Sequence, residues 1–142
     1  MFGNGQTKWP VQSVRSKRAN TTVNADIYMA HGINEYSGRT ATAASVHLRN
    51  GFRVIGIDMP SFGRSSGLHG YLPTLRWNEG ALNAVMLHVH MWDEYEQLEN
   101  LAHRKRFAQG ASMGGFTCAY HAALHPPPST SVSMSLNGIC LT

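Results

Sequence analysis

Apolar residues recur along the chain with two different periods. Val23 to Ala30 (VNADIYMA), Phe52 to Asp58 (FRVIGID) and Arg106 to Ala111 (RFAQGA) are short, largely apolar stretches that end at small or turn-forming residues, as buried strands do. Between the first two, Gly38 to Asn50 carries Ala43, Ala44, Val46 and Leu48 and closes on Asn50-Gly51, which predicts a helix with a C-terminal stop. Between the second and third, Leu75 to Ala102 has Leu82, Val85, Met86 and Val89 at helical spacing. Asn78-Glu79 ahead of them reads as a cap and first turn, and the segment ends in a polar, Glu-rich stretch. Met113 to Leu124 predicts a third helix, stopped by Pro126, Pro127 and Pro128, which cannot continue the hydrogen-bond ladder. Ser131 to Leu136 then alternates Ser with Val132, Met134 and Leu136, a strand with one apolar face.

Strands alternating with helices generate a mainly parallel, doubly wound α/β sheet covered on both faces, because parallel strands need crossover connections. Ligands in such sheets bind beyond the carboxyl ends of the strands. Chemistry is therefore expected in the turns after Ala30, Asp58 and Ala111.

Composition narrows the class. The 142 residues fit one domain by length. Charged residues make up 14%, against about 25% in an average globular protein, while the 42% hydrophobic content is ordinary. Such a chain has much to bury and little to solvate, which excludes a disordered tail. The formal charge of +4, with no nucleic-acid-binding motif, leaves the clusters Arg15-Ser16-Lys17-Arg18 and Arg104-Lys105-Arg106 as solvated faces, and no nucleic-acid partner is expected. No apolar run exceeds four residues, whereas a membrane helix needs about 20, so no transmembrane segment is expected. The opening MFGNGQTKWP lacks the apolar stretch of a secretory signal. A cytoplasmic location is expected, with peripheral association to a membrane or lipid droplet as the variant. Cys118 and Cys140 fit no metal or disulfide spacing and read as small buried residues. No cofactor is expected, because there is no phosphate-cradling glycine loop. No metal is expected either: His88-x-His90 sits two apart on a helix, where side chains do not face each other.

The turn after the third predicted strand reads Gly110-Ala111-Ser112-Met113-Gly114-Gly115, a G-x-S-x-G. This pattern suits a sharp strand-to-helix turn that lifts the Ser112 hydroxyl clear of the sheet, with glycines allowing helix and strand to approach closely. The N-terminus of the next helix aims backbone N–H groups at the same place, where they stabilise a developing oxyanion. Three positions at about 7% each recur by chance in about 5% of chains of this length, so the strand before the motif and the helix after it carry the argument. Acyl transfer needs two converging donors. The Met113 amide is one, and the Ile33 amide, in the turn His31-Gly32-Ile33-Asn34-Glu35, is placed to be the other. Asp58, in the turn after the second strand, reads as a loop-organising carboxylate bonded to nearby backbone N–H groups.

At these three turns the chain resembles the α/β-hydrolase superfamily, within it the branch of monoacylglycerol lipases, lysophospholipase-like proteins and the serine aminopeptidase S33 domain. The residues that carry the resemblance are H-G-x-x-E-x-S-G-R at His31 to Arg39, D-x-P-x-F-G-R-S at Asp58 to Ser65 followed by Gly67, and G-A-S-M-G-G at Gly110 to Gly115. They match in order from about residue 23 to the end. The resemblance implies a serine hydrolase of small hydrophobic carboxylic esters, monoacylglycerol- or lysophospholipid-like. Ser112 would be the nucleophile and the Ile33 and Met113 amides the oxyanion hole. Glu35 and Arg39 would shape the polar end of the pocket that takes the alcohol part of the ester. Ala111 stands where the family often has His or Glu.

The family's triad runs Ser, then Asp or Glu, then His along the chain. The thirty residues after Ser112 contain His121 and His125 and no Asp or Glu. Both histidines fall on the helix that starts at the nucleophile and point away from its N-terminal end, so neither is expected to serve as general base. A serine without a base is a weak nucleophile at neutral pH. The implied fold needs about twice this length, so the expectation for residues 1–142 is a partial α/β-hydrolase domain, its sheet open at the Ser131 to Leu136 strand, that hydrolyses esters poorly or not at all by itself. The competing readings are a non-catalytic protein or fragment of the same fold, and a peptidase or thioesterase using the same nucleophile.

Overall fold

In the computed structural model, which describes residues 11–14, 23, 25–96, 104–126 and 134–137, the centre of the sheet is Ala25–Ala30 (β2), all six of whose residues are buried. Parallel strands flank it on both sides, Arg53–Ile57 (β3) and Lys105–Ala111 (β4), and Met134–Asn137 (β5) adds in parallel to β4. Val11–Val14 (β1) pairs antiparallel with β3 and completes the order β1-β3-β2-β4-β5. The parallel α/β architecture read from the alternation of periods is present. The antiparallel strand β1 is an addition, since four residues reading VQSV show too little periodicity to announce a strand.

Burial on both faces of β2 follows from what covers each. Ile27 and Met29 meet Val54 of β3 with Ala44 and the half-buried Leu48 of Ala41–Arg49 (α1). On the other face, Tyr28, Ala30, Ile55, Ile57 and Ala108 pack against Leu82 and Val85 of Leu75–Tyr95 (α2) and against Met113 and Cys118 of Met113–Leu124 (α3). Each large side chain removed from water in this way contributes about 1.5–3 kcal/mol. The Cys118 thiol is fully buried, which pushes its pKa up to about 12. Cys140 lies outside the described residues, as do Arg15 to Arg18.

The helix expected over residues 38–50 divides in two, a 3-10 turn at Ser37–Thr40 followed by α1. Its stop is the one read from Asn50-Gly51. Gly51 has φ +79, and the Phe52 and Gly51 amides donate back to the carbonyls of His47 (3.2 Å) and Leu48 (3.2 Å), closing a Schellman motif. The second helix begins earlier than expected. Thr74 is extended and α2 starts at Leu75, so Asn78 and Glu79 are not its cap. They lie one turn inside and are buried, at 0% and 6% exposure, and Glu79 serves a contact with His121 and His125 rather than the helix end. Of the last strand, residues 134–137 are described.

Polar residues also fasten α2 to the far end of the sheet. Asp26 of β2 and Arg53 of β3 are register partners, and Arg53 forks between Asp26 (2.8 and 2.6 Å) and Asp93 of α2 (2.7 Å to Oδ1, with a further contact to Oδ2). Arg104 sits nearby, 3.9 Å from Asp26 and 3.7 Å from Asp93. Two carboxylates thus balance two guanidiniums. Burial opposes the charge on Arg53, but its hydrogen bonds to Asp93 and Asp26 outweigh that and raise its pKa. The expectation that residues 104–106 form a solvated face is therefore corrected at Arg104 and Arg106, while Lys105 is exposed. The Arg104 side chain is 10% exposed, and Arg106 bonds the His90 ring at 2.5 Å. No described helix is long and apolar enough to cross a membrane.

Candidate active site

Strand register brings the three expected turns to one level. Ala30 pairs with Ile57 on one side and Gly110 on the other, so the chain leaves β2, β3 and β4 at the same edge. At the β4 exit, Ser112 is exposed and holds φ +51, ψ −119, a conformation that costs a non-glycine residue about 1–3 kcal/mol. The two glycines make the turn possible. A Cβ on Gly110 would overlap the Gly114 carbonyl group, and a Cβ on Gly114 would overlap the carbonyl of Ala30. Helix α3 then starts at once: the Ser112 carbonyl accepts from the Phe116 amide at 3.0 Å, leaving the first amides, Met113 among them, without intrahelical partners.

The turn after β2 is built around its own polar groups. His31 is fully buried. Its Nε2 accepts from the Met59 amide (3.0 Å), which leaves Nδ1 as the protonated nitrogen donating to the Gly32 carbonyl (2.7 Å). The imidazole therefore ties the β2 exit to the β3 exit. Glu35 closes the turn: its Oε2 accepts from the Gly32 amide at 2.8 Å, and its amide reaches the Gly32 carbonyl at 3.3 Å. Ile33 lies inside that closed turn with its side chain exposed, followed by Asn34 at φ +59. A Cβ built on Gly32 would stand 3.6 Å from the Ala111 carbonyl oxygen, so this turn abuts the residue just before Ser112.

Asp58 holds the third turn. One carboxylate oxygen accepts from the Ser37 amide (2.7 Å) and the other from the Arg64 amide (2.9 Å), and its carbonyl accepts from the Ser65 hydroxyl (2.5 Å). Burial alone would raise its pKa. The Ser37 and Arg64 amides and the Ser37 hydroxyl outweigh burial and hold it below the ordinary carboxylate value. Gly63, at φ +56, leaves room for this carboxylate where a side chain would collide with it.

The structure thus gathers the turns bearing Ser112, Met113, Ile33 and Glu35 at one edge of the sheet. Arg39 stands further along, exposed in the 3-10 turn. Two polar features escaped the sequence reading. One is the structural work of His31, which the bare dipeptide His-Gly does not disclose. The other is the pairing of His121 and His125 with Glu79, whose Oε1 lies 3.1 and 3.0 Å from their ring nitrogens. Both histidines contact α2, His121 with only 13% of its side chain exposed and His125 with 46%. His121 is nine residues beyond Ser112, about 13 Å along the helix axis. Among the described residues no side chain bonds the Ser112 hydroxyl.

A serine at a strained strand-to-helix elbow, on a parallel sheet covered on both faces, defines the α/β-hydrolase class. Residues 21–136 match the family model described as serine aminopeptidase, S33, and the chain belongs to that family. Solved structures agree on the fold. A monoacylglycerol lipase from Paleococcus ferrophilus superposes with TM-score 0.67 at 21% identity, over 90% of this chain and 42% of that one. A soluble variant of the monoglyceride lipase of Saccharomyces cerevisiae gives 0.69 at 16% identity, over 88% and 39%. An esterase from Exiguobacterium antarcticum gives 0.64 at 22% identity, over 92% and 41%. The chain therefore spans about two fifths of the length of these hydrolases. No curated protein matches it.

Proposed function

We propose that the chain carries the nucleophile and oxyanion hole of a serine hydrolase acting on carboxylic esters of monoacylglycerol or lysophospholipid type. The observation that carries this reading is the positive φ of Ser112 at the elbow, beside the Glu35-closed turn. In the proposed step the Ser112 oxygen bonds to the ester carbonyl carbon, its proton passes to a base, and the negative charge on the carbonyl oxygen is met by the Ile33 and Met113 amides. The alcohol then leaves, and water releases the acid. Glu35 and Arg39 border the end that receives the polar alcohol. Such a substrate fits a cytoplasmic protein or one that works at a lipid surface.

Among the described residues no side chain bonds the Ser112 hydroxyl to act as its base. Both His31 nitrogens are engaged, and His121 and His125 lie far along α3. The proposal therefore includes weak turnover by residues 1–142 alone, at the level that an oxyanion hole and binding support without a complete triad, about 10³–10⁴-fold over water. The same observation favours one second reading, a hydrolase-fold protein that binds apolar esters without cleaving them.

Prolonged incubation with a fluorophosphonate, followed by peptide mass mapping, tests both parts. The expected result is slow formation of a phosphonyl adduct at Ser112 with loss of fluoride, absent in Ser112→Ala. Adducts spread over many hydroxyls would overturn the nucleophile assignment. Rapid stoichiometric labelling of Ser112 would overturn the missing base.

A further inference from the structure

Glu79 of α2, His121 of α3 and His125 at the C-cap of α3 bring three ligand atoms within 4.8 Å of one another, at the end of α3 remote from Ser112. We propose that these three residues bind a divalent transition-metal ion, with zinc as the first candidate, and that the ion fastens α2 to the carboxyl end of α3.

The geometry points to a metal in three ways. His121 and His125 are four residues apart, so the helix sets their rings on one face, with centroids 4.7 Å apart and planes tilted by 36°. Their nitrogens lie 3.1 and 3.0 Å from the same Glu79 oxygen. Tetrahedral zinc with ligands at about 2.0–2.1 Å separates its ligand atoms by roughly 3.3–3.4 Å; the two contacts to Glu79 are near that spacing, and the two ring nitrogens, within 4.8 Å of each other, come together by side-chain rotation to seat the ion. The donor set, two imidazoles and one carboxylate, is the borderline-soft combination that suits zinc and its neighbours rather than calcium or magnesium, which take oxygen ligands.

Charge supplies the third argument. The Glu79 side chain is only 8% exposed, and burying a carboxylate is costly unless a cation compensates it. Among the described residues its ion-pair partners are the two imidazoles alone, which are neutral whenever unprotonated. A metal ion places compensating charge on that oxygen and on both ring nitrogens at once. Three protein ligands leave a fourth position for water, and the half-exposed His125, at 46%, gives an entry path. The site was invisible in the sequence because Glu79 is separated from His121 and His125 by 42 and 46 residues. It does not depend on the hydrolase reading, since its distance from Ser112 excludes a direct part in acyl transfer.

The test is a zinc titration of the chelator-stripped chain against a chromophoric chelator, repeated with cobalt to read the visible absorption of a tetrahedral site. One equivalent of zinc is expected, with affinity lowered at least about 10-fold in His125→Ala and in Glu79→Gln and unchanged in His88→Ala. His125 is the decisive position because an exposed side chain can be removed without emptying the core. Zinc should also raise the melting temperature of the parent chain and not that of His125→Ala. Equal affinities for the parent and His125→Ala, or no stoichiometric binding, would overturn the proposal.

Discussion

Gly114 presses its α-carbon against the carbonyl of Ala30, leaving no room for even a methyl group. The contact joins the first turn of α3 to the exit of β2, and both partners are backbone, so neither can rotate away. Gly114→Ala should destabilise the fold by about 3 kcal/mol, the upper part of the range for overpacking. A fall in the urea midpoint with unchanged slope would show it, and adduct formation at Ser112 should slow in parallel. A loss below about 0.5 kcal/mol would mean that the elbow can move.

The Asp26–Arg53–Asp93 cluster predicts an asymmetry. Removing one carboxylate with Asp93→Ala leaves the 7%-exposed Arg53 with reduced compensation and should cost about 3–5 kcal/mol. Replacing Asp26, Arg53, Asp93 and Arg104 together by apolar residues of similar volume, so that neither guanidinium is left without a carboxylate, should cost far less. Denaturant unfolding of the two variants checks this, and equal losses would contradict it.

Asp58 makes stability depend on pH with a definite sign. Its pKa is lower folded than unfolded, so its contribution is complete above the unfolded value, about 3.9, and disappears as pH falls through the folded value. Asp58→Asn should therefore be less stable than the parent at pH 7, and the two should converge in acid. Unfolding free energies measured from pH 7 to pH 2 give the comparison; a constant gap would show that charge is irrelevant to this turn.

Glu35 closes the turn that contains Ile33 by accepting from the Gly32 amide. In Glu35→Ala that amide loses its acceptor, at a cost of about 1 kcal/mol, and Gly32 should exchange its amide hydrogen faster. Glu35→Gln keeps an acceptor oxygen and should protect Gly32 nearly as well. Equal exchange in all three proteins would leave Glu35 as a pocket residue only.

The architecture was legible because its signals are local. Met113–Leu124 is bounded by a glycine elbow and a proline, Asn50-Gly51 ends α1, and the apolar runs of β2 and β3 suit strands buried on both faces. Polar residues whose partners are distant in sequence were misread. Asn78-Glu79 resembles a cap because caps and buried polar contacts use the same residue types, and only the fold reveals that Glu79 faces His121 and His125. Arg104 looked solvated for the same reason, its carboxylates lying on β2 and α2. The turns after β2 and β4 were visible as motifs. Their adjacency had to come from the pairing of Ala30 with Gly110.

That pairing makes β2 a ruler shared by three turns. One residue inserted into β2 would advance the His31 turn by about 3.3 Å and reverse the facing of the displaced side chains. Neither the Asp58 turn nor the Ser112 elbow could follow, because each belongs to a different strand. Lengthening a loop beyond the sheet edge changes only that loop. Variation of this scaffold is therefore confined to what lies past Ala30, Ile57 and Gly110, and the strand lengths that align them are fixed.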